Sequence, residues 1–212
     1  MIIKNLRFTL YLVMALWLSV AKAGSYEDFF KAVKADDATT VAQLLARGFD
    51  PNSPSEDGQQ PLFLALREGS GKVVGVLLQT RGVRVDAANV AGETALMMAA
   101  LRGQLPWCTR LIELGAAVNR SGWTPLHYAA TGPQGQAAAL LLEHGAQIDA
   151  RSPNGSTALM MAARYGSEDT VALLLARGAN PRLRNERDLD AANFARLGGR
   201  EALAVKLEQS AK

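Results

Sequence analysis

Gly122-Trp123-Thr124-Pro125-Leu126-His127-Tyr128-Ala129-Ala130 is the stretch from which the rest of the chain is read. A threonine ahead of an apolar run is a helix N-cap, its hydroxyl accepting a backbone N–H that has no partner within the helix. Proline at the first helical position already holds the helical φ. The alanine pair gives this short helix a surface that neighbours can approach closely. Further on, Leu140-Leu141-Leu142-Glu143-His144-Gly145 reads as the end of a second, more apolar helix, closed by a glycine free to adopt the left-handed conformation past the last turn.

The same unit recurs in both directions. Gly48, Gly82, Gly115, Gly145 and Gly178 are spaced by 34, 33, 30 and 33 residues. A second series, Gly58, Gly92, Gly122 and Gly155, follows the first by 10, 10, 7 and 10, and Asp188 stands 10 after Gly178. Counterparts of the threonine cap are Gln60-Pro61-Leu62-Phe63, Thr94-Ala95-Leu96-Met97 and Thr157-Ala158-Leu159-Met160. Beyond each helix-ending glycine comes an apolar residue and then Asp or Asn: Val85-Asp86, Val118-Asn119 and Ile148-Asp149. A two-helix unit of this size cannot bury its apolar stripe alone, so the units must stack, with atypical units at both ends.

Thr124-Pro125-Leu126-His127-Tyr128-Ala129 carries the T-P-L-H-x-A signature, and with the period of about 33 residues the chain resembles the ankyrin-repeat family. The resemblance implies an all-α solenoid of helix–turn–helix units joined by β-hairpin-like loops. Four full repeats are expected at about 55–88, 89–119, 120–150 and 151–181, flanked by capping units at 25–54 and 182–212, all within one domain of residues 24–212. Thr94, Thr124, Pro125, His127, Thr157, Gly115, Gly145 and Gly178 are its structural signature residues. Departures from the pattern are local. The loop from Gly115 to Gly122 is three residues short, Pro106 falls in the first turn of a second helix, and Arg187-Asp188-Leu189-Asp190 has lost both turn glycine and threonine.

The net charge of +3 comes entirely from Lys4, Arg7 and Lys22, so residues 24–212 are formally neutral. A protein that grips nucleic acid by counterion release carries its excess charge on the folded part, so no nucleic-acid partner is expected. The basic opening is followed by Phe8–Val20, an apolar run of 13 residues, and by Ala21-Lys22-Ala23. That is the three-part order of a secretory signal peptide over residues 1–23. As a helix the apolar run rises only about 20 Å, short of a roughly 30 Å hydrocarbon core. An exported, periplasmic, monomeric protein without stable membrane insertion is therefore expected.

Candidate chemistry is sparse. The single cysteine, Cys108, excludes an internal disulfide and falls at an apolar position of a second helix. The resemblance assigns His127 to hydrogen bonds that tie one repeat to the next and His144 to a helix end, leaving no histidine for a catalytic arrangement. One methionine in each of Met97-Met98 and Met160-Met161 is expected to pack between units. No enzyme activity, cofactor or metal is expected. The resemblance instead implies binding of a protein partner through a concave surface, and the expected periplasmic setting suggests an accessory factor or an immunity-type inhibitor. Gln59, Arg67, Glu93, Arg102, Trp123, Ser156, Arg164 and Tyr165 are the candidate contact residues. The alternative is a periplasmic protein that binds a metal or small molecule, or an unrecognised hydrolase.

Overall fold

A computed structural model describes residues 24–210. The expected signal segment, residues 1–23, lies outside the described residues, as do the last two residues of the chain. Among the described residues there are twelve helices and no β-strand. Residues 24–34 are helical (α1). They are followed by α2 (Ala38–Ala46), α3 (Pro61–Glu68), α4 (Gly71–Gln79), α5 (Ala95–Leu101), α6 (Leu105–Glu113), α7 (Pro125–Thr131) and α8 (Gln136–Glu143). The last four are α9 (Ala158–Tyr165), α10 (Glu168–Ala176), α11 (Ala191–Leu197) and α12 (Glu201–Ser210). The chain divides into two compact units, one ending at Val83 and one beginning at Arg84.

In the first unit α4 packs on both α2 and α3. Phe29, Val33, Val41, Val73 and Leu77 are fully buried, and the rings of Phe29 and Phe49 stack with centroids 4.2 Å apart. Asp36 makes the turn between α1 and α2 with φ of 55°, a left-handed conformation that aspartate tolerates. Its Oδ1 accepts the N–H of Val73 at 3.0 Å, tying the first helix pair to the second.

In the second unit the short helices α5, α7, α9 and α11 form a row, each packed on the next. Small residues make this spacing possible: Ala99, Ala100, Ala129, Ala130, Ala162 and Ala163 are all buried. Gly166 is tighter still, since a Cβ there would run into the carbonyl oxygen of Ala130.

Each short helix in this row starts with the same reciprocal cap, built from different side chains. Thr94 and Thr157 accept the N–H of Met97 and Met160, both at 3.4 Å. The return bond runs from the cap residue's own N–H to the third helical side chain. The acceptor is the thioether of Met97 or Met160 (3.4 Å in both), Nδ1 of His127 (3.2 Å) or the amide oxygen of Asn193 (3.1 Å). The first methionine of each pair is thus a capping acceptor as well as a buried packing residue. In the last unit Asp190 takes the place of threonine and accepts the N–H of Asn193 at 3.0 Å. Asp188 holds the turn conformation of the missing glycine, with φ of 58°. The turn and cap expected to be lost there are rebuilt from aspartates.

The loops are hairpin-like without forming strands. In 89–93, 152–156 and 185–189 the first and fifth residues are joined by one backbone hydrogen bond of 2.9–3.0 Å. The side chains of Asn89, Ser152 and Asn185 accept the fifth residue's N–H as well. Within the second unit, the recurring Asp or Asn after the helix-ending glycine carries the tie between consecutive repeats. Asp86 accepts the N–H of Ala117 at 3.2 Å, Asn119 that of Gln147 at 2.8 Å, and Asp149 that of Asn180 at 3.1 Å. Gly115, Gly145 and Gly178 have φ of 91°, 80° and 90°, as helix-ending glycines require. Pro106 lies in the first turn of α6, where its missing N–H costs little.

Candidate functional site

The exposed side of the short-helix row in the second unit holds a recess of about 250 Å³, lined by Trp123, His127, Tyr128, Thr131 and Met161. Trp123 enters from the loop before α7, and its ring meets the His127 ring edge-on with centroids 5.2 Å apart. Tyr128 and Met161 occupy equivalent positions on α7 and α9, the fourth residue of each helix, and both are half-buried. Their counterparts Met98 and Phe194, on the flanking helices, are buried. The recess therefore opens at the middle of the row.

The polar groups of His127, Tyr128 and Thr131 are already engaged. Thr131 donates its hydroxyl to the Tyr128 carbonyl at 2.9 Å. His127 Nε2–H donates to the Ser156 carbonyl at 3.0 Å, and the Thr124 hydroxyl lies 2.8 Å from Nδ1. These bonds fix the neutral tautomer. Burial holds the His127 pKa below its ordinary value, only partly opposed by the backbone carbonyls around the ring. Tyr128 donates its hydroxyl to Glu93 at 2.8 Å, and burial, reinforced by that carboxylate, raises the phenol's pKa. Asn89 donates its side-chain amide to the other Glu93 oxygen, also at 2.8 Å.

The expected contact residues separate in this setting. Trp123 lines the recess, and Glu93 is bonded to its wall. Arg164 follows Met161 by one helical turn and places its guanidinium 4.9 Å from the centroid of the Tyr165 ring, which is 56% exposed. Arg102 lies exposed at the end of α5. Gln59 and Arg67 belong to the first unit, where the Gln59 N–H donates to Ser55 and Arg67 pairs with Glu68 at 3.1 Å. Ser156 must be corrected. It is 1% exposed and forms an internal clasp, its N–H donating to Ser152 Oγ and its carbonyl accepting from His127. The fifth loop residue faces the adjacent unit, and a small side chain there closes over.

Tyr128 and Met161, which shape the recess, were not among the expected contacts. Their shared position in the repeat was the available signal, but which copies of that position stay open depends on the packed neighbours. Cys108 is fully buried in α6, and desolvation pushes its thiol up to about 12. The first unit carries a broader recess of about 510 Å³, where Tyr26 and Phe30 are bordered by Lys31, Lys34, Glu56 and Asp57. Among the described residues no helix is long and apolar enough to cross a membrane.

A row of capped helix pairs with an open apolar recess on its short-helix side defines a repeat-built binding module. The family "Ankyrin repeats (3 copies)" matches residues 29–121 and 110–185, and the chain belongs to that family. Such repeats are protein–protein interaction modules, and proteins built from them are generally not enzymes. The Nuclear factor NF-kappa-B p105 subunit of Gallus gallus is 34% identical over 161 residues, 73% of this chain and 16% of that protein. Its Mus musculus counterpart is 36% identical over 135 residues, 60% of this chain and 14% of that protein. The chain thus matches about a seventh of the length of these relatives. A solved chain from the "Bd0816 Predatory Endopeptidase from Bdellovibrio bacteriovorus in complex with immunity protein Bd3460" superposes with a TM-score of 0.73 at 28% identity, covering 86% of this chain and 97% of that chain.

Proposed function

We propose that this protein is an exported, non-enzymatic binding module of the immunity type, which holds a peptidase or related hydrolase inactive in the periplasm. The observation that carries the binding role is the recess lined by Trp123, Tyr128 and Met161, an apolar hollow in which the Tyr128 and Thr131 hydroxyls are already bonded within the protein. Aromatic anchors that exclude water concentrate the energy of protein interfaces. Similarity to a chain solved in an endopeptidase–immunity protein assembly supports the inhibitory role over a general accessory one. Export is supported by the basic, then apolar, opening of the sequence.

The test uses the protein tagged at its C-terminus and isolated from the envelope of its own cells. N-terminal sequencing is expected to begin at Gly24. A hydrolase is expected to co-purify, and adding back the module to the separated enzyme should abolish peptide hydrolysis at equimolar ratio. A co-purifying enzyme whose rate is unchanged would remove the inhibitory role. A rate increase would identify an accessory factor.

A further inference from the structure

The recess is flanked by two charges that lack an opposite charge of their own. Glu93 is half-buried and accepts only from neutral donors, Tyr128 and Asn89; among the described residues no lysine or arginine lies within ion-pair distance of it. Two other half-buried carboxylates of the same unit do have cation partners: Asp86 pairs with Arg120 at 2.8 Å and Asp190 with Arg184 at 3.5 Å, whereas Asp149 accepts a backbone N–H. On the other side, Arg164 lies three residues after Met161 on α9, and residues so spaced share a helix face. Its guanidinium has an aromatic neighbour in Tyr165 but no carboxylate within ion-pair distance among the described residues. Apart from exposed Arg102 at the far end of α5, the order along the row is therefore an unpaired anion, an apolar recess and an unpaired cation.

We propose that this face takes an extended segment of the partner whose apolar side chain fills the recess beside Trp123, with a lysine or arginine against Glu93 and an aspartate or glutamate against Arg164. The proposal rests on the reading that this face binds a protein, and it adds the chemistry of the bound segment. Half-buried charges gain most from a partner that arrives with the opposite charge and excludes water, and misplaced charge is strongly rejected. Spacing follows from the packing. Adjacent packed helices lie about 8–10 Å apart, and the Glu93 carboxylate reaches the Tyr128 hydroxyl on α7, so it is separated from Arg164 on α9 by between one and two such steps. An extended chain rises about 3.3 Å per residue, which puts the segment's two charges roughly three to six residues apart with the apolar anchor between them.

The full chain is panned against a phage-displayed library of random peptides, and affinities of synthetic copies of the enriched peptides are measured by fluorescence anisotropy. Enriched peptides are expected to show a basic, an apolar and an acidic residue in that order, in either chain direction. Glu93→Lys should weaken binding at least tenfold, and changing the peptide's basic residue to glutamate should restore it. Arg164→Glu should be rescued in the same way by a lysine at the peptide's acidic position. Glu93→Gln, whose amide oxygen can accept from Asn89 while its NH2 donates to the Tyr128 hydroxyl, should weaken binding without changing the melting temperature and covers the case in which Glu93→Lys fails to fold. Enriched peptides without this charge order, charge swaps without rescue, or no enrichment would overturn the proposal. An exported hydrolase that is inhibited equally by wild type and both charge variants would overturn this proposal and leave the inhibitory function standing. Peptide binding with charge rescue but no inhibited hydrolase would do the reverse.

Discussion

The Nε2–H of His127 donates to the carbonyl oxygen of Ser156, 29 residues further along and 3.0 Å away. One neutral imidazole therefore caps its own helix through Nδ1 and fastens the next loop through Nε2. Protonation would put a hydrogen on Nδ1, facing the Thr124 N–H that now donates to it.

Stability should depend on pH through this ring. Its folded pKa lies below the ordinary value near 6.5, so on acidification the unfolded chain takes up the proton first. Stability is then complete above about pH 6.5 and falls as pH drops through that value toward the folded pKa. Thermal melts between about pH 7.5 and 5 should show this decline. His127→Gln should be less stable by about 1–3 kcal/mol at neutral pH and show a flatter profile. An unchanged slope in the variant would assign the pH dependence to other groups.

Two glycines should respond to alanine for different reasons. Gly145 has φ of 80°, and nothing lies within 4 Å of the place a methyl group would take, so Gly145→Ala should cost only the left-handed penalty of about 1–2 kcal/mol. Gly166 has an ordinary φ of −84°, but its added methyl meets the Ala130 carbonyl and the α9 backbone. Gly166→Ala should cost at least as much by displacing α7 from α9, within the roughly 1–3 kcal/mol typical of overpacking or above it. Denaturant titration of both variants compares them directly.

Arg200 closes the far end of the row. Its Nη1 lies within 2.8–3.1 Å of three carbonyls, those of Ala162, Ala163 and Gly166, at the C-terminus of α9. A cation at a helix C-terminus opposes the partial negative charge of the free carbonyls. Arg200→Gln should destabilise the protein by about 1–2 kcal/mol, and Arg200→Lys should recover part of the loss. Equal melting temperatures for all three would show the contact to be energetically idle.

The methionine pairs should separate on substitution by leucine. Met160→Leu keeps the volume but leaves the buried Thr157 N–H without its sulfur acceptor, at a cost of about 1 kcal/mol. Met161→Leu removes no hydrogen bond, and chemical denaturation should find it near wild type.

Cys108 should be inert in the folded protein. A buried thiol pushed up to about 12 presents almost no thiolate near neutral pH. A chromogenic disulfide reagent should titrate one thiol per chain in denaturant and essentially none before unfolding. Rapid labelling of the native protein would show that α6 opens readily.

Much of the fold was legible because each repeat restates the same local physics. Thr124-Pro125 announces a capped helix, Gly145 announces its partner's end, and the 33-residue period requires stacking. Asp36 and Asp188 were harder to read, since aspartate visits the left-handed region only where its surroundings favour it. The site was less legible than the fold. Trp123, Glu93 and Arg164 could be picked out by their place in the repeat, but Ser156 occupies the same place as Glu93 and is buried.

By itself, the sequence determined the class of architecture, the threonine-capped helix starts, the glycine turns and the excess of positive charge in the first 23 residues, because these depend on neighbours within a few positions or on a strict period. Only the tertiary structure decided that Tyr128 and Met161 stay open while Met98 and Phe194 close over. It likewise decided that Glu93 and Arg164 flank a recess without a counter-charge. Those properties depend on the distance of each side chain from another repeat, and residues about 30 positions apart meet only when the helices have packed.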